Sequence, residues 1–106
     1  MDTLFKKLLT EDLLTKTETI FLHSKDNQSL RDMLMLKLAE ECSELSAELI
    51  QKFLHPTHET DEKIENEIGD VLTRLLLVVD LYNHENILNR VNFKMSKLHY
   101  KLFKTA

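Results

Sequence analysis

The sequence predicts an all-α fold, an antiparallel bundle of four to five helices that is completed by oligomerisation. Two observations support this prediction. The 106 residues include one glycine and one proline, so positions for tight turns are scarce, while the abundant leucine, lysine and glutamate favour helices. Apolar residues also recur at helical spacing in three long segments, and no segment alternates as a strand would. The length suits one domain with a small core.

The first segment, Met1–His23, is prone to helix formation but has no single apolar stripe, so the sequence defines its boundaries poorly. A polar break follows at Ser24–Gln28. Ser29, with Asp32 three residues later, resembles a helix-capping arrangement. We therefore expect a long helix to begin there.

This second helix is expected to end near Leu54, because Pro56 follows closely and proline interrupts helices. Its apolar stripe consists of Leu34, Leu38, Leu45, Leu49 and Phe53. A loop, HPTHETD, comes next, and Thr60 or a neighbour is expected to cap a third helix that stops near Asn83. The buried face of this helix is predicted to contain Ile64, Ile68, Val71, Leu75, Val78 and Tyr82.

A fourth helix is expected from about His84. Its seven-residue apolar pattern, which lets it lie along a neighbour, consists of Leu88, Val91, Met95, Leu98 and Leu102. The second half of the third helix is apolar on all sides, since Leu77 and Leu81 lie opposite Ile68. A chain of this length has too few elements to cover such a helix alone. A second copy is therefore expected to cover it.

Composition also narrows the possible partners and the location. The formal net charge of -4 argues against a general nucleic-acid binder, which carries a basic excess. The single cysteine, Cys42, cannot form an internal disulfide, which suits a reducing compartment. The longest apolar run, Leu75–Val79, is too short to cross a bilayer, and the amino terminus lacks a secretory signal. We therefore expect a cytoplasmic protein that binds neither membranes nor nucleic acid.

Two pairs of carboxylates are the strongest candidates for chemistry. Glu41 and Glu44 lie three residues apart on the second helix, and Glu67 and Asp70 repeat this spacing on the third. A short loop makes the two helices antiparallel, so the pairs can face each other. Four carboxylates brought together repel one another unless a cation compensates, and oxygen ligands favour Mg²⁺ or Mn²⁺. Such spacing is also common on solvated helix faces, and that alternative stays open.

The fourth helix carries a basic stripe. Its members recur at helical spacing beside the apolar seam and are Arg90, Lys94, Lys97 and Lys101. They fit a solvated lysine face, or they capture a polyphosphate held at the metal and neutralise charge on its leaving group. Lys94 is the first candidate for that role.

The acidic motif E-E-x-x-E at Glu40 to Glu44, followed by E-x-x-D at Glu67 to Asp70, resembles the MazG-like all-α nucleotide pyrophosphohydrolases. The surrounding KLAEECSEL and ENEIGDVL are similar to that family too, and the resemblance extends over about residues 28–102. It implies that residues 1–106 form a single MazG-like helical domain. It also implies a homodimer or homotetramer that binds Mg²⁺ and cleaves a nucleoside triphosphate to the monophosphate and pyrophosphate.

The resemblance further implies roles for individual residues. The metal ligands are expected to be Glu41, Glu44, Glu67 and Asp70. Glu40 becomes an auxiliary acid that orients water or a second ion, so Glu40 and Glu41 are the catalytic candidates. NFK, at 92–94, resembles the family's Asn-x-Lys element, which implies phosphate contacts from Asn92 and Lys94. The arginine that often follows is absent at a matching place, and Lys97 or Lys101 is expected to substitute for it. The candidates for a base pocket are Phe21, His23 and Gln28.

Two other functions stay open. Phosphoribosyl-ATP pyrophosphohydrolases are also small helical enzymes with similar acidic motifs. A non-catalytic helical interaction module would carry the acidic pairs only as solvated residues. A di-iron bundle is disfavoured, because its Glu-x-x-His pairs do not occur in the sequence.

Overall fold

The computed structural model describes residues 3–57 and 61–104, which form five α-helices. In chain order they are α1 (Leu4–Leu8), α2 (Glu11–Ser24), α3 (Gln28–Leu54), α4 (Asp61–Val79) and α5 (His84–Phe103). The predicted all-α class is confirmed. The predicted cap Thr60 lies outside the described residues.

Helices α3 and α4 form an antiparallel hairpin, which contains most of the packing between helices. The loop end of the hairpin is joined by an ion pair between Lys52 and Asp61, with 3.2 Å between Nζ and Oδ1. At the open end the Tyr82 hydroxyl donates a hydrogen bond to Sδ of Met35 over 3.0 Å. The two contacts show the register of α3 against α4, and this register positions the candidate site.

Helix α2 packs across the open end of the hairpin and contacts both α3 and α4. The buried core at this end is small. Among the described residues it consists of Leu34 and Val78, joined by the fully buried Ser24. The Arg31 guanidinium anchors the end of α2, because it donates hydrogen bonds to the carbonyl oxygens of Ser24, at 3.3 Å, and Lys25.

The amino-terminal segment differs from the single irregular helix expected from the sequence. It contains two helices, because Thr10 adopts an extended conformation and its hydroxyl accepts a hydrogen bond from the backbone N–H of Leu13. The predicted cap at Ser29 is also wrong. Asn27 caps α3, since its Oδ1 accepts a hydrogen bond from the N–H of Leu30 at 3.0 Å, and Ser29 lies inside the first turn.

The last helix, α5, contains no buried residue and makes only marginal contact with the other described helices. It begins at the Asn83 cap, whose Oδ1 accepts a hydrogen bond from the N–H of Asn86, and the preceding helix already ends at Val79. The predicted seam is half exposed or more, as for Leu98 at 51% and Leu102 at 65%. Within residues 3–57 and 61–104, an entire amphipathic helix thus has no packing partner.

The exposed surface of the chain is correspondingly large. Its accessible area is 8807 Å², whereas a folded monomer of 12.5 kDa exposes about 6200 Å². The radius of gyration is 16.6 Å, compared with about 13 Å for a compact domain of this length. Among the helices that the structure describes, none combines the length and apolarity that a membrane span requires.

Candidate metal centre

Three carboxylates from the two arms of the hairpin converge on one point. Glu41 extends from α3, and Glu67 and Asp70 extend from successive turns of α4. One oxygen atom from each lies within 4.8 Å of the others. The antiparallel register brings the α3 and α4 acids together, because each lies a similar distance from the loop.

Two oxygen atoms in this group have no hydrogen-bond partner although they are buried. They are Oε2 of Glu41 and Oε2 of Glu67. A buried carboxylate oxygen without a donor or a cation is energetically costly, and such atoms are rare in folded proteins. An all-oxygen set of this kind fits a hard divalent cation, which would satisfy both orphaned atoms.

The electrostatics of the cluster agree with this interpretation. Burial raises the pKa of the Glu41 carboxyl above its usual range, and the negative charges of Glu44, Asp70 and Glu67 raise it further. The pKa of Glu67 is raised in the same way, first by burial and then by Glu44 and Asp70. Without a cation the two carboxylates therefore resist ionisation.

The other two predicted acids occupy different positions. Glu44 is exposed and lies close enough to raise the pKa of both Glu41 and Glu67, but it is outside the group of three whose oxygens converge. Glu40 is also outside that group, and its Oε2 pairs with Nζ of Lys37 over 3.0 Å at the surface of α3. The structure thus brings three of the four predicted ligands together, with Glu44 beside them, whereas Glu40 pairs with Lys37 on the exposed surface of α3.

An ion pair adjoins the cluster on its loop side. Nζ of Lys63 on α4 lies 2.9 Å from Oε1 of Glu48 on α3. The Glu48 side chain is 14% exposed and the Lys63 side chain 64%, and the hydrogen bond with Glu48 raises the pKa of Lys63. Helical spacing puts Glu48 in line with Glu44 and Lys63 in line with Glu67, but it does not by itself place Glu48 opposite Lys63. Their shared offset from the acidic pairs, four residues towards the loop, could have revealed the pairing.

The predicted phosphate-binding residues on α5 are not gathered at the carboxylates of the same chain. Every residue of α5 is exposed, and the helix does not pack along α3 or α4. Lys94, Lys97 and Lys101 lie on one face of α5, as helical spacing requires. Asn92 lies two residues from Lys94 in a continuous helix and therefore points to nearly the opposite side.

The three candidates for a base pocket are spread over the end of α2 and the start of α3. Phe21 is half-buried, His23 is exposed, and Gln28 hydrogen-bonds Asp32 through Nε2 over 2.7 Å. The structure does contain a cleft of about 680 Å³ between α1, α2 and α4. Its α2 wall is formed by other residues, namely Leu13, Lys16, Thr17 and Ile20. The base-pocket assignment stays a prediction.

A comparison with protein families matches residues 29–103 to the MazG nucleotide pyrophosphohydrolase domain. The matched range includes all five acids of the double motif and nearly all of α3 to α5. The chain belongs to the MazG nucleotide pyrophosphohydrolase family. No curated protein and no solved structure matches the chain significantly.

The MazG match covers nearly all of α3 to α5 but not α1 and α2. The carboxylate cluster, the Lys63–Glu48 pair and the lysines of α5 all lie within the MazG range, whereas α1 and α2 precede it. Phe21, His23 and Gln28 are therefore outside the part that carries the family relationship. Of the predicted site residues in the MazG range, Glu41, Glu67 and Asp70 are the ones that the packing of α3 against α4 brings together.

Proposed function

We propose that the protein is a Mg²⁺-dependent nucleoside triphosphate pyrophosphohydrolase that converts a (d)NTP to the (d)NMP and pyrophosphate. The observation that supports it best is the convergence of Glu41, Glu67 and Asp70, with two buried carboxylate oxygens left without partners. This centre lies in a chain of the nucleotide pyrophosphohydrolase family. Mn²⁺ is an alternative ion, because the same oxygen ligands accept it.

In this proposal Glu41, Glu67 and Asp70 hold the cation, and Glu44 joins them from its neighbouring position. A bound divalent cation polarises phosphoryl oxygens and lowers the pKa of water. The carboxylates orient the attacking water in line with the scissile anhydride, and a carboxylate of Glu40 or Glu41 accepts its proton. For Glu40 this role requires its carboxylate to leave Lys37, with which it pairs on the surface of α3.

The triphosphate requires positive charge, and the proposal takes it from Lys94, Lys97 and Lys101 on one face of α5. Asn92 lies on nearly the opposite side of α5, so its contact with phosphate stays a prediction. Because α5 does not pack along the hairpin of its own chain, these lysines act from a second copy in a homodimer or homotetramer. The charges are complementary: α3 and α4 carry ten acidic and five basic residues, whereas α5 carries one acidic and four basic residues. A partner's α5 would cover apolar surface and bring lysines to the acids.

The proposal is tested by measuring pyrophosphate release from a panel of NTPs and dNTPs with Mg²⁺, with Mn²⁺ and with EDTA. We expect release only with a divalent cation. Glu41→Gln and Asp70→Asn should each lower kcat by at least about 100-fold while helicity is unchanged, because each removes a charged ligand. Glu62→Gln is the matched control, since Glu62 is an exposed acid in the first turn of α4.

Other results would point to the alternatives. Hydrolysis of phosphoribosyl-ATP without turnover of the panel would make the protein a phosphoribosyl-ATP pyrophosphohydrolase. The absence of metal-dependent pyrophosphate release from every substrate would leave a non-catalytic helical module. Unchanged turnover in both Glu41→Gln and Asp70→Asn would refute the site.

A further inference from the structure

The ion pair between Lys63 and Glu48 has no role in the proposed reaction, although it adjoins the carboxylate cluster. Glu48 lies four residues after Glu44 on α3, and Lys63 lies four residues before Glu67 on α4. Each is therefore one helical turn from a carboxylate of the site, on the loop side. Glu48 is close enough that its charge contributes to the raised pKa of Glu67.

The burial of the two side chains is unequal. Glu48 is 14% exposed and faces inward, whereas Lys63 is 64% exposed and reaches it from the solvent side over 2.9 Å. Without Lys63, the α3 row Glu41, Glu44 and Glu48 would present a further uncompensated carboxylate beside Glu67. An unpaired carboxylate that is nearly buried is energetically costly, so Glu48 would pair with the nearest available cation.

We infer that Lys63 and Glu48 are a positioning pair, in which Lys63 holds Glu48 away from the metal centre and so limits both the number of carboxylates and the negative charge that the cation meets. The inference rests on the proposed function. The neighbouring ion pair between Lys52 and Asp61 has no such role. It also joins α3 to α4, but it lies farther towards the loop.

The two members of the pair should have opposite effects on metal affinity. Lys63→Met removes a positive charge and releases Glu48, so Mn²⁺ should bind more tightly. Glu48→Gln leaves Lys63 unpaired beside the acids, so Mn²⁺ should bind more weakly. One unit charge at one to two helical turns from a divalent ion changes its affinity by about tenfold when solvent screens the interaction. The double variant should be close to wild type, and Lys63→Arg should be unchanged.

The measurement is the dissociation constant for Mn²⁺, obtained from the electron paramagnetic resonance signal of free Mn²⁺ with no nucleotide present. Lys52→Met is the matched control, because it breaks an ion pair of the same hairpin and should change the constant by about twofold or less, being farther from the ion. Circular dichroism and thermal unfolding without metal report whether each variant folds. If Lys63→Met does not fold, the inference is still tested by the other two variants: Glu48→Gln should weaken Mn²⁺ binding, and Lys63→Arg should leave it unchanged.

The outcomes separate the two proposals. Opposite shifts in Lys63→Met and Glu48→Gln, with recovery in the double variant, would support the positioning role. Shifts in the same direction, or no shift while wild type binds Mn²⁺, would make the pair a simple link between helices and overturn the inference alone. Failure of wild type to bind Mn²⁺ would overturn the proposed function and the inference with it.

Discussion

In the proposed homo-oligomer, replacing Leu98 by glutamate should separate the copies into monomers. Leu98 lies in the middle of the apolar seam of α5 and is 51% exposed in the single chain. Glutamate is as good a helix former as leucine, so α5 itself should survive the substitution. If α5 stayed solvated, the change would be nearly neutral for stability, within about 0.5 kcal/mol.

The expected size of the effect follows from exposed area. The chain exposes 8807 Å², which exceeds the area of a typical monomer of its mass by about 2600 Å². Two chains burying that excess would form an interface of about 5000 Å², in the range of obligate dimers. Full burial of a leucine side chain contributes about 1.5–3 kcal/mol, and about half of this remains to be gained at Leu98.

In a two-fold dimer the loss occurs twice, so it amounts to about 1.5–3 kcal/mol before the desolvation of two carboxylates is added. The dimer dissociation constant should therefore rise at least about tenfold, and by about 100-fold at the upper end of this range. Sedimentation equilibrium across a range of concentrations measures this constant. Asn89→Glu is the matched control, because Asn89 is an exposed residue of α5 on the side away from the seam.

A wild-type protein that sediments as a monomer at micromolar concentration, with full helicity, would refute this reasoning about α5. Equal dissociation constants for Leu98→Glu and wild type would show that the copies meet through another surface. In that case the lysines of α5 would not reach the partner's carboxylates by this route.

Three further predictions concern the folded chain. The pKa values of Glu41 and Glu67 are raised, so the metal-free folded state binds more protons than the unfolded state. Its stability should therefore fall as pH rises through the raised pKa values, and it should increase as pH is lowered towards the ordinary pKa of glutamate. Thermal unfolding in EDTA, compared with a Glu41→Gln/Glu67→Gln variant, measures this, and parallel pH profiles would contradict it. Asn27→Ala should cost about 0.5–2 kcal/mol in urea unfolding through loss of the α3 cap, whereas Ser29→Ala should cost nothing; the reverse order would restore Ser29 as the cap. Leu34→Ala should cost about 2–5 kcal/mol in the same assay, because Leu34 is 3% exposed, and a cost below about 1 kcal/mol would show that this core does not form.

The sequence by itself determined the helices and the spacing of the acids. Periodicity and capping are local properties, so the ends of α3 and the start of α5 were predicted to within a residue or two. The break between α1 and α2 was missed, although Thr10 followed by Glu11 and Asp12 is a typical helix start. The three-residue spacing of Glu41 with Glu44, and of Glu67 with Asp70, likewise follows from helix geometry alone.

Only the tertiary structure decided which side chains meet. The hairpin register joins Glu41 to Glu67 and Asp70, and it pairs Glu48 with Lys63, across helices that the sequence separates by the loop. It also leaves Glu44 beside the converging oxygens and leaves α5 unpacked against α3 and α4 of its own chain. The physical reason is that a helical pattern specifies which face a residue occupies, whereas the atoms that come into contact depend on how two faces are aligned along their axes.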